Sequence, residues 1–143
     1  MTREGIDAKC DFIRDNIERL GEIPQASFEE FSGDFRNVDS AMHRLQTTIG
    51  ALIDIGSFTV AALGLPTPER SRSILESLEA AGHLPEGSTT KFGSMFAFRN
   101  RVVHLYDRVE ARIVYEILTR NRDDLEELLR HLLAALDATA SKA

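Results

Sequence analysis

An arginine, an asparagine, a histidine and a tyrosine stand close together in the segment Phe98-Arg99-Asn100-Arg101-Val102-Val103-His104-Leu105-Tyr106-Asp107. A guanidinium beside an imidazole suits phosphodiester chemistry: Arg99 would stabilise charge on phosphoryl oxygens, and His104 would move a proton near neutral pH. In a continuous helix five residues rotate by about 500°, so Arg99 and His104 would leave it about 140° apart. They converge only where the helix end is distorted or long side chains wrap around it. Asn100 and His104, four apart, share a face. Such residues near a helix end also have a purely structural use, because the helix dipole stabilises a histidine in the last turn. Spacing leaves both uses open.

The elements that must position these residues are helical almost throughout, by the period of the apolar positions. Ile6, Cys10, Ile13, Ile17 and Leu20 predict a first helix that ends in the turn from Gly21 to Pro24. Ser27, with Glu30 three positions on, has capping-box spacing and predicts a short helix to about Gly33. Phe35, Val38, Met42, Leu45, Ile49, Leu52, Gly56, Val60 and Leu63 predict a long helix, stopped by Gly64, Pro66 and Pro68. Its middle, residues 48–57, is apolar on several sides, which marks a central helix. Within it Asp54 would be buried and would need a partner, for which a motif arginine is a candidate.

Ser71 is expected to cap a helix carrying Ile74, Leu75 and Leu78 and ending near Gly82. Pro85, Gly87 and Ser88 mark a loop before a helix from about Thr89 through Val103. A last helix from about Val109 carries Val114, Leu118, Leu125, Leu132 and Leu136 and gives way to a frayed tail at 139–143. The expected fold is therefore all-α: an antiparallel helical bundle of four main helices plus a short extra helix, forming one domain over 1–143 with its core at about 4–138.

With 143 residues the chain is long enough for a hydrophobic core. Its 43% hydrophobic and 28% charged content excludes a disordered tail. Apolar runs are interrupted before the roughly 18 residues of a membrane span, and no signal peptide is expected at the charged N-terminus. A lone cysteine, Cys10, excludes an intramolecular disulfide and a cysteine-based zinc site and suits a reducing, cytoplasmic setting. His43, His83 and His131 lack ligand-spaced companions, so neither a metal nor another cofactor is expected.

The net charge of −6 argues on its face against nucleic acid. It is unevenly spread. Residues 91–112 carry Lys91, Arg99, Arg101, Arg108 and Arg112 against Asp107 and Glu110, a net of +3 that leaves −9 for the rest. A local, salt-sensitive contact with RNA is compatible with that distribution.

Arg99-Asn100, three residues, then His104-Leu105-Tyr106 resembles the R-x(4–6)-H-x-Y signature of HepT-like toxins, helical members of the HEPN superfamily. The stretches ALIDIGSFTVAALGL, ILESLEAAGHLP and VYEILTRNRDDLEELL are similar to that family too, so the resemblance spans about residues 4–138. It implies a homodimer whose motif-bearing helix ends meet in a cleft. It also implies metal-independent endoribonuclease action, in which the ribose 2′-OH attacks the adjacent phosphate. His104 would be general base or acid, Arg99 would bind the scissile phosphate, and Asn100 would orient the histidine or donate to the phosphate, with Arg101 and Asp54 supporting. Tyr106 matches the tyrosine to which a partner minimal nucleotidyltransferase attaches AMP, acting as the antitoxin of a type VII toxin–antitoxin system. The alternative within the superfamily is a non-catalytic nucleotide- or partner-binding module in complex with a nucleotidyltransferase; a plain structural dimer is the third.

Overall fold

The computed structural model describes residues 1–105 and 108–140. They form α1 (Arg3–Glu22), α2 (Phe28–Ser32), α3 (Phe35–Ala62), α4 (Ser71–Ala80), α5 (Ser88–Leu105) and α6 (Ala111–Ala140). The fold is the expected all-α bundle: α1, α3, α5 and α6 are the four long helices, α2 is the short extra one, and the ten-residue α4 adds a sixth helix beyond that count. Among the described residues there is no strand.

Local chemistry accounts for the boundaries. Thr2 Oγ1 accepts from the Gly5 amide at 3.1 Å, Ser27 Oγ accepts from the Glu30 amide at 3.1 Å, and Asp34 accepts from the Arg36 amide at 2.9 Å. Each satisfies an amide that the first helical turn leaves open. α3 ends where Gly64 turns to φ 71°, with Leu65 N donating to Val60 O and Gly64 N to Ala61 O. Gly82 closes α4 in the same way at φ 82°, a conformation that costs a residue with a Cβ.

Three local expectations are corrected. Ser71 is the first helical residue of α4; the cap position belongs to Arg70, which makes no side-chain cap bond. Phe35, assigned to the apolar stripe of α3, is 73% exposed, because it sits on the first turn beyond the reach of the other helices. α6 continues through Ala140, so Thr139, expected in the tail, is helical, and its hydroxyl donates to Leu136 O. The remaining tail residues, 141–143, lie outside the described ones.

α3 packs against every other helix. By length and composition it could cross a membrane, contrary to the interrupted runs read from the sequence. Its apolar surface is instead covered from within: Leu45, Ile49, Leu52 and Ile55 are fully buried against Ile6 and Ile13 of α1, Leu75 of α4, Phe92 and Phe96 of α5, and Leu118 and Leu125 of α6, all in one core cluster. One strip stays open, where His43, Asp54 and Ser57 are exposed and Thr47 and Gly50 are half-buried.

α5, which carries the motif, is held at its start by α4. The Glu79 carboxylate accepts from the Thr89 amide at 2.7 Å and from the Gly87 amide at 3.1 Å. These bonds hold its carboxyl below the ordinary glutamate range. Lys91 Nζ meets Glu127 of α6 at 2.6 Å, a pair that pushes the lysine up and the glutamate down.

Two stability predictions follow from these contacts. A Cβ at Gly56 would stand 2.8 Å from Cγ2 of the buried Ile74, a methyl with no freedom to swing away. Gly56→Ala should therefore destabilise by about 1–2 kcal/mol although alanine is the better helix former. Gly50→Ala, whose Cβ would meet its nearest atoms at an ordinary 3.7 Å, should stabilise; urea melts of the two variants check the contrast. For Glu79, a folded-state pKa below the unfolded value means a contribution present above the ordinary glutamate pKa and lost as pH falls through the depressed one. The melting-temperature gap between wild type and Glu79→Gln should be open at pH 7 and close below about pH 4; a gap that does not vary with pH would show that the carboxylate charge is not what holds the turn.

Candidate functional site

α5 is helical through Leu105, so the rotation expected between Arg99 and His104 is realised and no distortion of the described helix end brings them to one face. The two residues have different surroundings. Arg99 turns inward to α1 and α3 and lines an open groove of about 490 Å³ with Lys9, Phe12, Thr47, Gly50 and Asp54. Its side chain passes over Gly50, where a Cβ would stand 3.7 Å from both Nε and Nη2. Arg99 Nε is buried and has no hydrogen-bond partner among the described residues. A buried guanidinium nitrogen without a protein partner costs desolvation energy, unlike the solvated head of a surface arginine.

Asp54 lines the same groove but is not the buried carboxylate expected. Its side chain is 55% exposed, and Lys9 Nζ approaches it at 3.1 Å. The apolar run around it wraps most of α3, yet Asp54 falls on the one uncovered strip. The bridge lies at the surface, where such pairs contribute about 0–1 kcal/mol. Lys9 and Phe12 escaped the sequence reasoning because they come from α1, some forty residues away in the chain. The available signal was Phe12, an aromatic residue off the buried stripe of α1 and 46% exposed.

The remaining motif residues face other ways. Asn100 Nδ2 donates to Ser71 Oγ of α4 at 3.2 Å. Arg101 and His104, three apart and therefore neighbours on the helix surface, are both exposed. Val103 and Leu105 flank His104 and are 48% and 44% exposed. Tyr106, the expected modification site, lies outside the described residues. Of the arginines that follow the motif, Arg108 is exposed, whereas Arg112 is engaged elsewhere, its guanidinium carbon 4.0 Å from the centre of the Phe28 ring. Among the described residues no group of three His, Cys, Asp or Glu side chains is placed to hold a metal.

What this arrangement offers is a fixed cation at the α1–α3 groove and an accessible imidazole at the open end of α5, parts suited to binding an anion and moving a proton. The family model described as HepT-like, ribonuclease HepT-like, matches residues 13–132, and the chain belongs to that family. Solved structures share the fold. One is the crystal structure of a toxin–antitoxin with AMP-PNP, at a TM-score of 0.78 and 24% identity, covering 89% of this chain and 96% of that one. A second is the toxin–antitoxin MntA–HpeT carrying a tyrosine-to-alanine mutation, at 0.80 and 25%, covering 90% and 98%. A third is the tri-AMPylated Shewanella oneidensis HEPN toxin in complex with MNT antitoxin, at 0.79 and 25%, covering 90% and 96%. No curated protein matches the sequence.

The buried Arg99 nitrogen separates stability from function. Arg99→Met keeps the aliphatic stem and removes the desolvated polar atom. It should melt at or slightly above the wild-type temperature by differential scanning fluorimetry. A clear fall would make Arg99 a structural residue.

Proposed function

We propose that this chain is the toxin of a type VII toxin–antitoxin pair, a metal-independent endoribonuclease of the cytoplasm that a minimal nucleotidyltransferase silences by AMPylating Tyr106. The observation that carries this reading is the spacing Arg99, four residues, His104, one residue, Tyr106, in a chain of the HepT-like ribonuclease family. The unpartnered Arg99 nitrogen and the exposed His104 support it, as does the AMPylated state of a solved HEPN toxin with the same fold.

The ribose 2′-oxygen attacks the adjacent phosphorus and the bond from phosphorus to the 5′-oxygen breaks, leaving a cyclic phosphate and a 5′-hydroxyl. A proton leaves the 2′-hydroxyl and one joins the 5′-oxygen, and His104 handles one of these transfers as base or acid. One chain presents Arg99 and His104 to different surfaces, so the Arg99 that opposes the charge growing on the phosphoryl oxygens comes from the other copy of a dimer. Arg101 and Asp54 adjust the local field, while Asn100 stands between His104 and α4. The protein acts as a homodimer, with 1–143 as one domain. Val103 and Leu105, apolar and half exposed beside His104, are suited to cover by a second copy. AMP transferred from ATP to the Tyr106 hydroxyl, with release of pyrophosphate, places an anion next to the histidine and repels RNA.

Induced alone, the wild-type protein should arrest bacterial growth and His104→Ala should not. Co-expressed with the nucleotidyltransferase, the wild type should gain adenylyl mass and Tyr106→Phe should gain none at that position, read by peptide mass spectrometry. Equal toxicity of wild type and His104→Ala would remove the catalytic assignment. A tight complex with neither toxicity nor RNA cleavage would favour the non-catalytic binding module.

A further inference from the structure

On the far side of α5 from the Arg99 groove, α4 and α5 flank a second cavity of about 220 Å³, lined by Arg70, Ser71, Arg72, Gly93, Phe96, Ala97 and Asn100, with no carboxylate in its lining. The α5 side offers Gly93 and Ala97 beside the ring of Phe96, and Gly93 has a specific purpose. A Cβ there would stand 2.8 Å from Arg72 Nη1, so the missing side chain lets the Arg72 guanidinium lie flat on the helix. Among the described residues neither Arg70 nor Arg72 is in an ion pair, although both are exposed in a chain of net charge −6. Asn100 closes the cavity toward the motif through its bond to Ser71.

Helical geometry ties this cavity to His104. Gly93, Ala97, Asn100 and His104 follow one another by four, three and four residues, which keeps them within about 60° on one face of α5. Gly93 and His104 are eleven residues apart, or about 16 Å along the axis. A continuous stripe therefore leads from two unneutralised guanidiniums, past a motif asparagine, to the exposed imidazole.

We propose that the Arg70–Arg72–Asn100 cavity is a second phosphate subsite, which holds the backbone of single-stranded RNA several nucleotides from the bond cut at His104; this deepens the ribonuclease reading and rests on it. Arginine forks suit phosphate oxygens, and contacts of this kind set register without reading sequence. The subsite makes the enzyme prefer substrates long enough to span α5 and leaves the shortest ones unaffected.

The test compares Arg70→Gln, Arg72→Gln and Gly93→Ala with wild type on a dinucleotide and on a single-stranded RNA decanucleotide. In parallel, the decanucleotide is bound to the same variants in the His104→Ala background, by fluorescence anisotropy. Gly93→Ala displaces the Arg72 guanidinium without changing charge, and thermal melting confirms that each variant folds. Each substitution should lower kcat/KM and affinity on the decanucleotide about fivefold, leave the dinucleotide unchanged, and, for the arginine variants, reduce the salt slope of binding by about 0.7. Cleavage that none of the substitutions alters, or alters equally on both lengths, overturns the subsite and leaves the ribonuclease reading standing. Absence of cleavage by wild type, with binding still weakened by the substitutions, overturns the ribonuclease reading and keeps the site as a nucleic-acid contact. Neither cleavage nor binding overturns both.

Discussion

A helix of 28 residues, about 42 Å long and apolar around most of its circumference, cannot be left in water. Each Leu or Ile that α3 buries is worth about 1.5–3 kcal/mol, and the other five helices are arranged to collect that energy. The rest of the molecule follows from this constraint. α5 packs on α3 and buries Phe92, Met95 and Phe96 in the common core, and that packing brings Arg99 over the strip of α3 that no helix covers. Gly50 and Thr47 on that strip are small enough to admit a guanidinium between α1 and α3. Had the strip been covered as the rest of α3 is, Arg99 would have had nowhere to enter.

The same packing divides the motif. α5 stays regular to Leu105, so Arg99 belongs to the α1–α3 side, whereas Asn100 and His104 belong to the α4 side. Within one chain the guanidinium and the imidazole are consequently presented to different surfaces. Arg99 accepts burial of an unpartnered Nε, while the Lys9–Asp54 bridge at the groove rim is solvated and contributes little. Neither the unpartnered Nε nor the solvated ion pair beside it contributes much to stability, as expected if Arg99 serves the role proposed for it.

Most boundaries were legible in the sequence because their causes are local. Ser27 caps the amide three residues on, and Gly64 and Gly82 adopt the left-handed turn that only glycine adopts cheaply. The periods that buried Ile6, Ile13, Leu45 and Ile49 were equally readable. What could not be read depends on contacts between distant residues. Ser71 has the chemistry of a cap, but its hydroxyl accepts from Asn100, 29 residues away. Asp54 sits in an apolar run, and only the angular position of the uncovered strip decides that it is exposed. Lys9 reaches the groove from another helix, and no spacing rule connects residues 9, 54 and 99. The motif was visible as types and intervals; the partition of its side chains between two faces required knowing what packs on each.

The charge distribution shows the same division. From the sequence, the basic side chains of residues 91–112 look like one cluster. In the fold Lys91 is neutralised by Glu127 at the opposite end of α5 from His104, and Arg112 is stacked on Phe28. Two of the five cations are thus engaged away from the motif, and the helix alone offers less positive charge there than its composition suggests. The deficit is met from outside the segment, because α4 places Arg70 and Arg72 along the face that leads to His104. An acidic protein can attract an anionic substrate only where its cations are left unpaired and gathered, since at physiological ionic strength charges more than about 8 Å apart are largely screened from one another. The unpaired arginines at the start of α4, and not the net charge of any contiguous stretch, are therefore what would reconcile −6 overall with the polyanionic ligand proposed.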